Sequence, residues 1–135
     1  MTLDYNCGIM YLFKRKAASK IMIKRESYLS QIRPFIDKCE LIKVIVGVRR
    51  SGKSIMLELI KEELLEKGVP QEQMVSINFE DMNYSQFTTA EALHDYLKQK
   101  IETVNGRVYI FLDEIQEVKD WEKCVNSLRV NSDVD

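Results

Sequence analysis

The stretch LIKVIVGVRRSGKS, from Leu41 to Ser54, determines how the rest of this chain is interpreted. It reads as an apolar strand centred on Val44–Val46, followed by a glycine-containing turn and the start of a helix. The turn matches the pattern G-x-x-x-x-G-K-[ST] at every required position, which are Gly47, Gly52, Lys53 and Ser54. This pattern predicts a loop that binds phosphate groups through its backbone.

The residue types in this turn suit phosphate binding. Gly47 lets the chain leave the strand sharply, and Gly52 lets the backbone approach an anion closely. Lys53 is expected to reach the β- and γ-phosphates, and the Ser54 hydroxyl to coordinate Mg²⁺. Because N–H groups at a helix N-terminus favour negative charge, the predicted nucleotide-binding residues are Gly47, Arg50, Ser51, Gly52, Lys53, Ser54 and Ile55. The alternative is a glycine-rich loop that only joins a strand to a helix.

The composition excludes several classes of protein. At 135 residues the chain has the length of one domain, and its 45% hydrophobic and 30% charged residues are ordinary for a globular protein. The net charge of −1 argues against a general electrostatic binder of nucleic acid, so a nucleic-acid partner is not indicated. No apolar run reaches the ~18 residues that span a bilayer, and we expect no membrane partner.

Cysteine and histidine usage indicates neither a disulfide framework nor a metal centre. Cys7, Cys39 and Cys124 are widely spaced and odd in number, which predicts free thiols in a reducing cytoplasm. His94 is the single histidine and lies in a predicted helix, which disfavours a histidine-based metal site.

Residues 1–21 differ from the rest of the chain because they show no helical or strand period and end in a basic stretch. We predict that they form a disordered tail, or an extension upstream of a natural start at Met22; a targeting or nucleic-acid role is the alternative. Their removal is expected to leave nucleotide affinity and melting temperature unchanged, and a large loss in either would contradict this assignment. The folded domain would then comprise residues 22–135.

The remaining chain alternates between helical and strand patterns. An apolar helical face runs from about residue 26 to residue 38, and Pro34 is expected to kink or restart that helix. The later predicted elements are a helix from Ser54 that stops at Gly68, a strand from Val75 to Phe79, a helix capped by Thr88 and Glu91, a strand from Val108 to Glu114 and a helix from Asp120. This alternation predicts a three-layer α/β fold, in which helices flank a parallel sheet.

Asp113 and Glu114 form the second candidate site. They close the apolar run VYIFLDE, and such a strand delivers its last side chains to the carboxyl edge of a parallel sheet, where ligands bind. Asp113 is expected to hold Mg²⁺ opposite Ser54, and Glu114 to orient or deprotonate the water that attacks the γ-phosphate. An apolar strand that ends in Asp-Glu is a weak signal alone. Its pairing with the glycine loop is what makes the signal specific.

The two motifs together resemble those of the P-loop NTPases. GVRRSGKS is similar to the Walker A motif, and YIFLDE to the Walker B motif in the branch with a glutamate beside the aspartate. The wider pattern resembles a family of prokaryotic AAA-type ATPases, through the helix RESYLSQIRPFI, the strand INFED and the run LDEIQ before a tryptophan-containing helix. The resemblance covers residues 22–135 and implies ATP and Mg²⁺ as ligands.

The resemblance also implies roles for individual residues. Gly47–Ser54 would bind phosphate, Asp113 would support Mg²⁺ and Glu114 would activate water. Arg49 and Arg50 match the basic positions of the family's loop. At these positions the arginine side chains can contact phosphate, a partner subunit or solvent. We favour solvent or a partner.

The family pattern continues beyond this sequence. In that branch a fourth strand lies between the P-loop strand and the Walker B strand, and we expect it to begin right after residue 135. The chain is therefore predicted to be a C-terminally truncated fragment that lacks strands four and five, with the two motif strands not directly paired. Glu80 and Asp81 close the strand that the family places at the sheet edge. They would form a polar rim or take part in catalysis.

The leading functional hypothesis is ATP binding and Mg²⁺-dependent ATP hydrolysis, with Lys53 and Glu114 as the catalytic residues. The alternative is a nucleotide-binding or protein-interaction remnant without turnover. A P-loop kinase is less favoured, since Glu114 suits water activation better than transfer to an acceptor. ATP is favoured over GTP because the sequence has no N/T-K-x-D guanine-reading motif. A protein partner or a further C-terminal domain is expected in longer relatives.

Overall fold

A computed structural model describes residues 26–135, and the predictions for residues 1–21, Met22 and Cys7 lie outside that range. In chain order the elements are helix α1 (Glu26–Ile32), helix α2 (Lys53–Glu66), strand β1 (Met74–Asn78), helix α3 (Ala90–Glu102), strand β2 (Tyr109–Asp113) and helix α4 (Trp121–Asn131). Short 3-10 turns cover Arg33–Phe35, Gln71–Gln73, Met82–Tyr84 and Ile115–Glu117. This mixed α/β order confirms the predicted fold class.

Strands β1 and β2 form a parallel pair. The register runs from Met74 opposite Tyr109 to Asn78 opposite Asp113. Parallel neighbours need a crossover connection, which α3 provides. The carboxyl ends of both strands therefore meet at one edge of the sheet, and Asp113 lies on that edge.

Apolar clusters cover both faces of the sheet, as the unbroken apolar run of β2 predicts. Alternate residues of β2 point to opposite faces. Tyr109 and Phe111 belong to one apolar cluster, which lies beneath the glycine loop. The other buried members of this cluster are Leu29, Met56, Leu59, Ile60 and Leu64. The second cluster contains Ile77, Phe87, Ala90, Leu93, Leu97, Val108, Val118, Cys124, Leu128 and Val134. The result is a layer of helices on each side of the sheet.

The interruption expected at Pro34 is confirmed. Helix α1 ends at Ile32, and Pro34 lies in the 3-10 turn Arg33–Phe35. Proline at this position has no N–H to donate to the preceding helical turn, so the α-helix ends before it.

The prediction of a strand at Val44–Val46 is wrong. Residues 42–48 are assigned to neither helix nor strand, and within residues 26–135 no strand pairs with them. A strand needs a neighbour about 4.8 Å away to satisfy its backbone, and β2 does not lie beside this segment. Val44 and Val46 are accordingly 64% and 87% exposed.

Pairing along the second edge of β2 begins earlier than expected. Val108 and Val134 form a parallel bridge, although the sequence places the start of the next strand after residue 135. The amide of Ile110 donates to the Asp135 carbonyl at 2.7 Å, and the Asp135 amide donates to the Val108 carbonyl at 2.9 Å. Residues 133–135 thus already run parallel to β2.

The predicted capping box at Thr88 and Glu91 is wrong, because the N-cap lies one residue later and Ala92 has no side chain that could return the hydrogen bond. Thr89 caps α3, and its hydroxyl accepts from the Ala92 amide at 3.4 Å. The Thr88 carbonyl accepts from the Lys119 amide at 3.0 Å. Because that contact holds Thr88 beside the segment before α4, the helix starts one residue later than the pattern indicates.

Two further sequence expectations bear on the chain's environment. None of the helices within residues 26–135 is long and apolar enough to cross a membrane. Cys39 and Cys124 are free thiols, and burial raises the pKa of Cys124 to about 11. A thiol with so high a pKa stays protonated and is a poor nucleophile at neutral pH.

Candidate functional site

Helix α2 begins in the glycine loop and presents free helix-end amides there. Gly52 precedes Lys53 with φ 93°, and Arg50 also adopts a left-handed conformation, with φ 62°. The Met56 amide donates to the Gly52 carbonyl at 3.0 Å, which closes the first turn of the helix. The amides of residues 53–55 come before that bond and lack an intrahelical acceptor. Such amides, together with the helix dipole, attract an anion.

Gly47 lies in close contact with the Ser51 side chain. A Cβ atom there would lie 2.6 Å from the Ser51 Oγ and 3.8 Å from the Lys53 Cγ. The loop therefore folds back onto Gly47, and the absence of a side chain leaves room for that approach. A larger residue at this position would force the Ser51 side chain to move.

Lys53 turns its ammonium group into the loop. The Lys53 Nζ donates to the Gly47 carbonyl at 3.0 Å and to the Val48 carbonyl at 3.1 Å. These acceptors are uncharged, so a phosphate that enters the loop would offer the ammonium a stronger, charge-assisted partner.

Lys53 also lies where two cavities meet. The larger cavity, of about 770 Å³, is lined by α1, its turn, residues 41–48 and the loop residues Ser51 and Gly52. The smaller cavity, of about 330 Å³, lies between residues 41–45 and β2. Asp113 and Glu114 line the smaller cavity together with Lys53. The structure thus brings the three principal predicted side chains to one cavity.

Asp113 and Glu114 differ in backbone conformation. Asp113 is the last residue of β2, and its carbonyl accepts from the Phe79 amide at 3.0 Å. Glu114 has φ 56°, which takes it out of the strand and into the following 3-10 turn. Its carboxylate accepts a hydrogen bond from the Gln116 side-chain amide. Sequence reasoning missed this contact, although the run LDEIQ places the amide two residues after the glutamate.

Comparison with known proteins identifies the family. A family model described as an AAA domain matches residues 40–134, a span that contains the glycine loop and Asp113. The chain belongs to the AAA domain family. This confirms the resemblance drawn from the sequence, and it makes the chain a nucleotide-binding, P-loop ATPase-like domain.

The AAA domain is similar to two longer proteins of unknown role. It is 40% identical over 117 residues to an uncharacterized protein of Haemophilus influenzae. The matched region covers 87% of this chain and 29% of that protein. It is also 36% identical over 88 residues to an uncharacterized protein of Methanocaldococcus jannaschii. That matched region covers 64% of this chain and 18% of the relative. The chain spans less than a third of either relative. No solved structure gives a significant match.

Ser54 and Ile55 lie on the first turn of α2 in this AAA domain, and both are exposed. Ser54 and Ile55 line neither of the two cavities. Within residues 26–135 no group of three or more histidine, cysteine, aspartate or glutamate side chains is arranged to hold a metal ion.

Charged residues of the loop and of the end of β1 meet at the rim of the site. Arg49 contacts the Glu80 carboxylate at 3.4 Å, with side chains 86% and 55% exposed. An ion pair as exposed as this contributes little to stability. The Asp81 carboxylate accepts from the Asn83 amide at 2.9 Å and caps a 3-10 turn. Glu80 and Asp81 line neither cavity, and their assignment to a polar rim or to catalysis stays a prediction.

An aromatic wall beside the loop was not expected from the sequence. Tyr28 and Phe35 belong to the apolar face predicted for the first helix, but they are 59% and 45% exposed and line the larger cavity. The sequence carried no signal for this exposure, because a helical apolar pattern predicts burial of the face and not which of its side chains remain at the surface.

Proposed function

We propose that this chain binds ATP and hydrolyses it with Mg²⁺. The observation that carries the proposal is the position of Lys53, which lines one cavity with the phosphate loop and another with Asp113 and Glu114. A γ-phosphate held by Lys53 would then lie near the carboxylates that hydrolysis requires.

The phosphate groups would bind at the N-terminus of α2. The amides of residues 53–55 supply donors, and Gly47 leaves space for the loop to close around the anion. Lys53 would exchange its two carbonyl partners for β- and γ-phosphate oxygens.

The nucleoside would occupy the larger cavity. Its volume of about 770 Å³ falls in the range of small-molecule sites, and it adjoins the phosphate loop directly. Tyr28 and Phe35 from the α1 side and Val46 and Val48 from the loop side give it apolar and aromatic walls. Exposed apolar surface concentrated beside a phosphate loop suits the faces of a purine base.

Ser54 and Asp113 fit the metal, because a hydroxyl and a carboxylate are the hard oxygen ligands that Mg²⁺ prefers. When bound, the ion neutralises charge on the β- and γ-phosphates. Glu114 would accept a proton from the attacking water or orient it, and its hydrogen bond from Gln116 restricts where the carboxylate points.

The test pairs Lys53→Ala with Glu114→Gln. Titration with a fluorescent ATP analogue is expected to show no binding by Lys53→Ala and ordinary binding by Glu114→Gln. Phosphate release is expected from the parent chain and from neither variant. Lys67→Ala, an exposed lysine at the far end of α2, is the matched control and should behave as the parent. Tight nucleotide binding by Lys53→Ala would refute the site.

A nucleotide-binding domain without turnover is the second candidate. The observation that favours it is the unpaired segment 42–48, because a cavity separates this segment from β2 and thus from Glu114. Binding without phosphate release by the 135-residue chain would support this candidate. The relatives extend well beyond the matched region, so a protein partner or an additional domain that completes the site is part of the same proposal.

A further inference from the structure

Glu63 is a carboxylate on the buried face of α2. It is 8% exposed. Among residues 26–135 no other charged residue is buried. Its neighbours Leu59 and Leu64 are 1% and 2% exposed and belong to the cluster beneath the phosphate loop. Burial of an ionised carboxylate among such side chains is costly unless a cation pairs with it.

Arg33 is the cation that pairs with Glu63. The Arg33 Nε donates to the two Glu63 oxygens at 3.0 and 3.2 Å, and Nη2 donates at 2.5 Å. The same guanidinium donates to Glu26 through both terminal nitrogens. The hydrogen bonds from Arg33 lower the pKa of Glu63, and those same bonds raise the pKa of Arg33. Both groups are therefore charged at neutral pH.

This ion pair joins two elements of the proposed ATP site. Arg33 opens the 3-10 turn that follows α1, and Glu63 lies on α2, the helix that begins at Lys53. Within its described residues, α1 buries one side chain, Leu29, and helices in proteins owe most of their stability to tertiary packing. Its buried residue Leu29 and the ion pair of its following turn therefore fix its direction relative to α2.

Helix α1 and its turn also form a wall of the larger cavity. Tyr28, Gln31, Ile32 and Phe35 line that cavity, whereas the phosphate loop lines another part of it. A shift of α1 would move the aromatic and apolar side chains of the wall and leave the amides at the start of α2 in place. The two parts of the site thus depend on different contacts.

We propose that Arg33 and Glu63 are positioning residues that hold the α1 wall in place and thereby set the affinity for the nucleoside part of ATP. The inference rests on the proposed function. It separates base recognition, which depends on the ion pair, from phosphate recognition, which depends on the loop.

The experiment measures the dissociation constants of ATP and of inorganic tripolyphosphate by titration calorimetry on the full 135-residue chain. Arg33→Met removes the cation and keeps the length of the side chain. Arg107→Met is the matched control, because Arg107 also bridges two carboxylates, Asp37 and Asp133, and its side chain is 30% exposed against 33% for Arg33. Arg107 does not line the larger cavity.

Arg33→Met is expected to weaken ATP binding at least tenfold and to change tripolyphosphate binding less than twofold. Arg107→Met should change neither constant more than twofold. Equal weakening of both ligands by Arg33→Met would overturn the inference, because it would show a general loss of structure, and so would unchanged ATP affinity. If the parent chain binds neither ligand, the proposed function itself is wrong.

A second variant covers the case in which Arg33→Met does not fold, since it leaves the Glu63 carboxylate buried without its partner. Arg33→Met combined with Glu63→Leu replaces the ion pair by apolar side chains, which restores stability in comparable cases. This double variant should regain the melting temperature of the parent and keep the weak ATP binding, because apolar contacts lack the directionality of the bidentate pair. Parent-like ATP affinity in the folded double variant would contradict a positioning role.

Discussion

The sheet and its α3–α4 layer differ sharply from the region around the glycine loop. In the sheet region Leu93, Leu97 and Val108 are fully buried, each at 0% exposure. In the loop region Val46 and Val48 are 87% and 79% exposed. All five side chains are apolar, so hydrophobicity alone does not decide which side chains become buried.

Strand pairing accounts for the difference. β1 and β2 satisfy each other's backbone groups, and α3 and α4 then cover one face of the pair. Residues 42–48 have no strand beside them within the described range, so no second layer can form over their side chains. The sheet region is therefore a stable support, whereas the loop region is held through α2, and a ligand that bound the folded loop would stabilise it.

The largest effect is expected from truncation in the sheet region. Leu97→Ala should lower the free energy of unfolding by about 2 to 5 kcal/mol, because it opens a cavity in a fully buried cluster. Val46→Ala is the counterpart in the loop region and should change that free energy by about 0.5 kcal/mol or less. Urea denaturation monitored by circular dichroism measures both. Similar losses for the two variants would break the comparison.

An intermediate effect is expected from glycine substitution, with opposite outcomes at two positions. Gly47→Ala should weaken ATP binding about tenfold, equivalent to ~1.4 kcal/mol, because its Cβ would lie 2.6 Å from the Ser51 Oγ and displace that side chain within the loop. Its melting temperature should change little, since Gly47 is exposed. Calorimetric titration with ATP and thermal unfolding measure the two properties.

Gly68→Ala is the control for this substitution. Gly68 ends α2 with φ 90° and has open space around the Cβ position, so alanine there costs about 1 kcal/mol of stability through backbone strain. Its ATP affinity should equal that of the parent. Loss of ATP affinity in Gly68→Ala, or none in Gly47→Ala, would show that close contact at the loop does not govern binding.

The smallest effect concerns the link between the loop region and the start of β2. The Tyr109 hydroxyl donates to the Asp37 carboxylate at 2.5 Å. Burial, together with this hydrogen bond, raises the pKa of Tyr109 to about 12, above the usual value of about 10. The folded state then binds more protons than the unfolded state between these values, so stability should fall as the pH rises from about 10 to about 12.

Tyr109→Phe tests this linkage. The variant should lose about 1 kcal/mol at neutral pH, the net contribution of one hydrogen bond. The fall in stability between about pH 10 and pH 12 should be shallower than in the parent, as measured by urea denaturation across that range. An unchanged pH profile would mean that Tyr109 does not ionise on unfolding in that range.

The order of elements was predictable because it depends on local patterns. The apolar run that ends in Asp113 could only be a strand covered on both faces, and the structure places it there. Pro34 and Gly68 act through their own backbone geometry, so their positions as helix breaks were also evident from the sequence.

Tertiary structure alone decided which predicted features formed. The sequence of Val44–Val46 favours a strand, but a strand requires a neighbour, and the neighbour is a property of the whole fold. The helical pattern places Glu63 among leucines without indicating that Arg33, thirty residues earlier, would reach it. The sequence by itself indicated the glycine loop and the two carboxylates; the three-dimensional contacts decided that Lys53 lines one cavity with both carboxylates and that Arg33 pairs with Glu63 on α2.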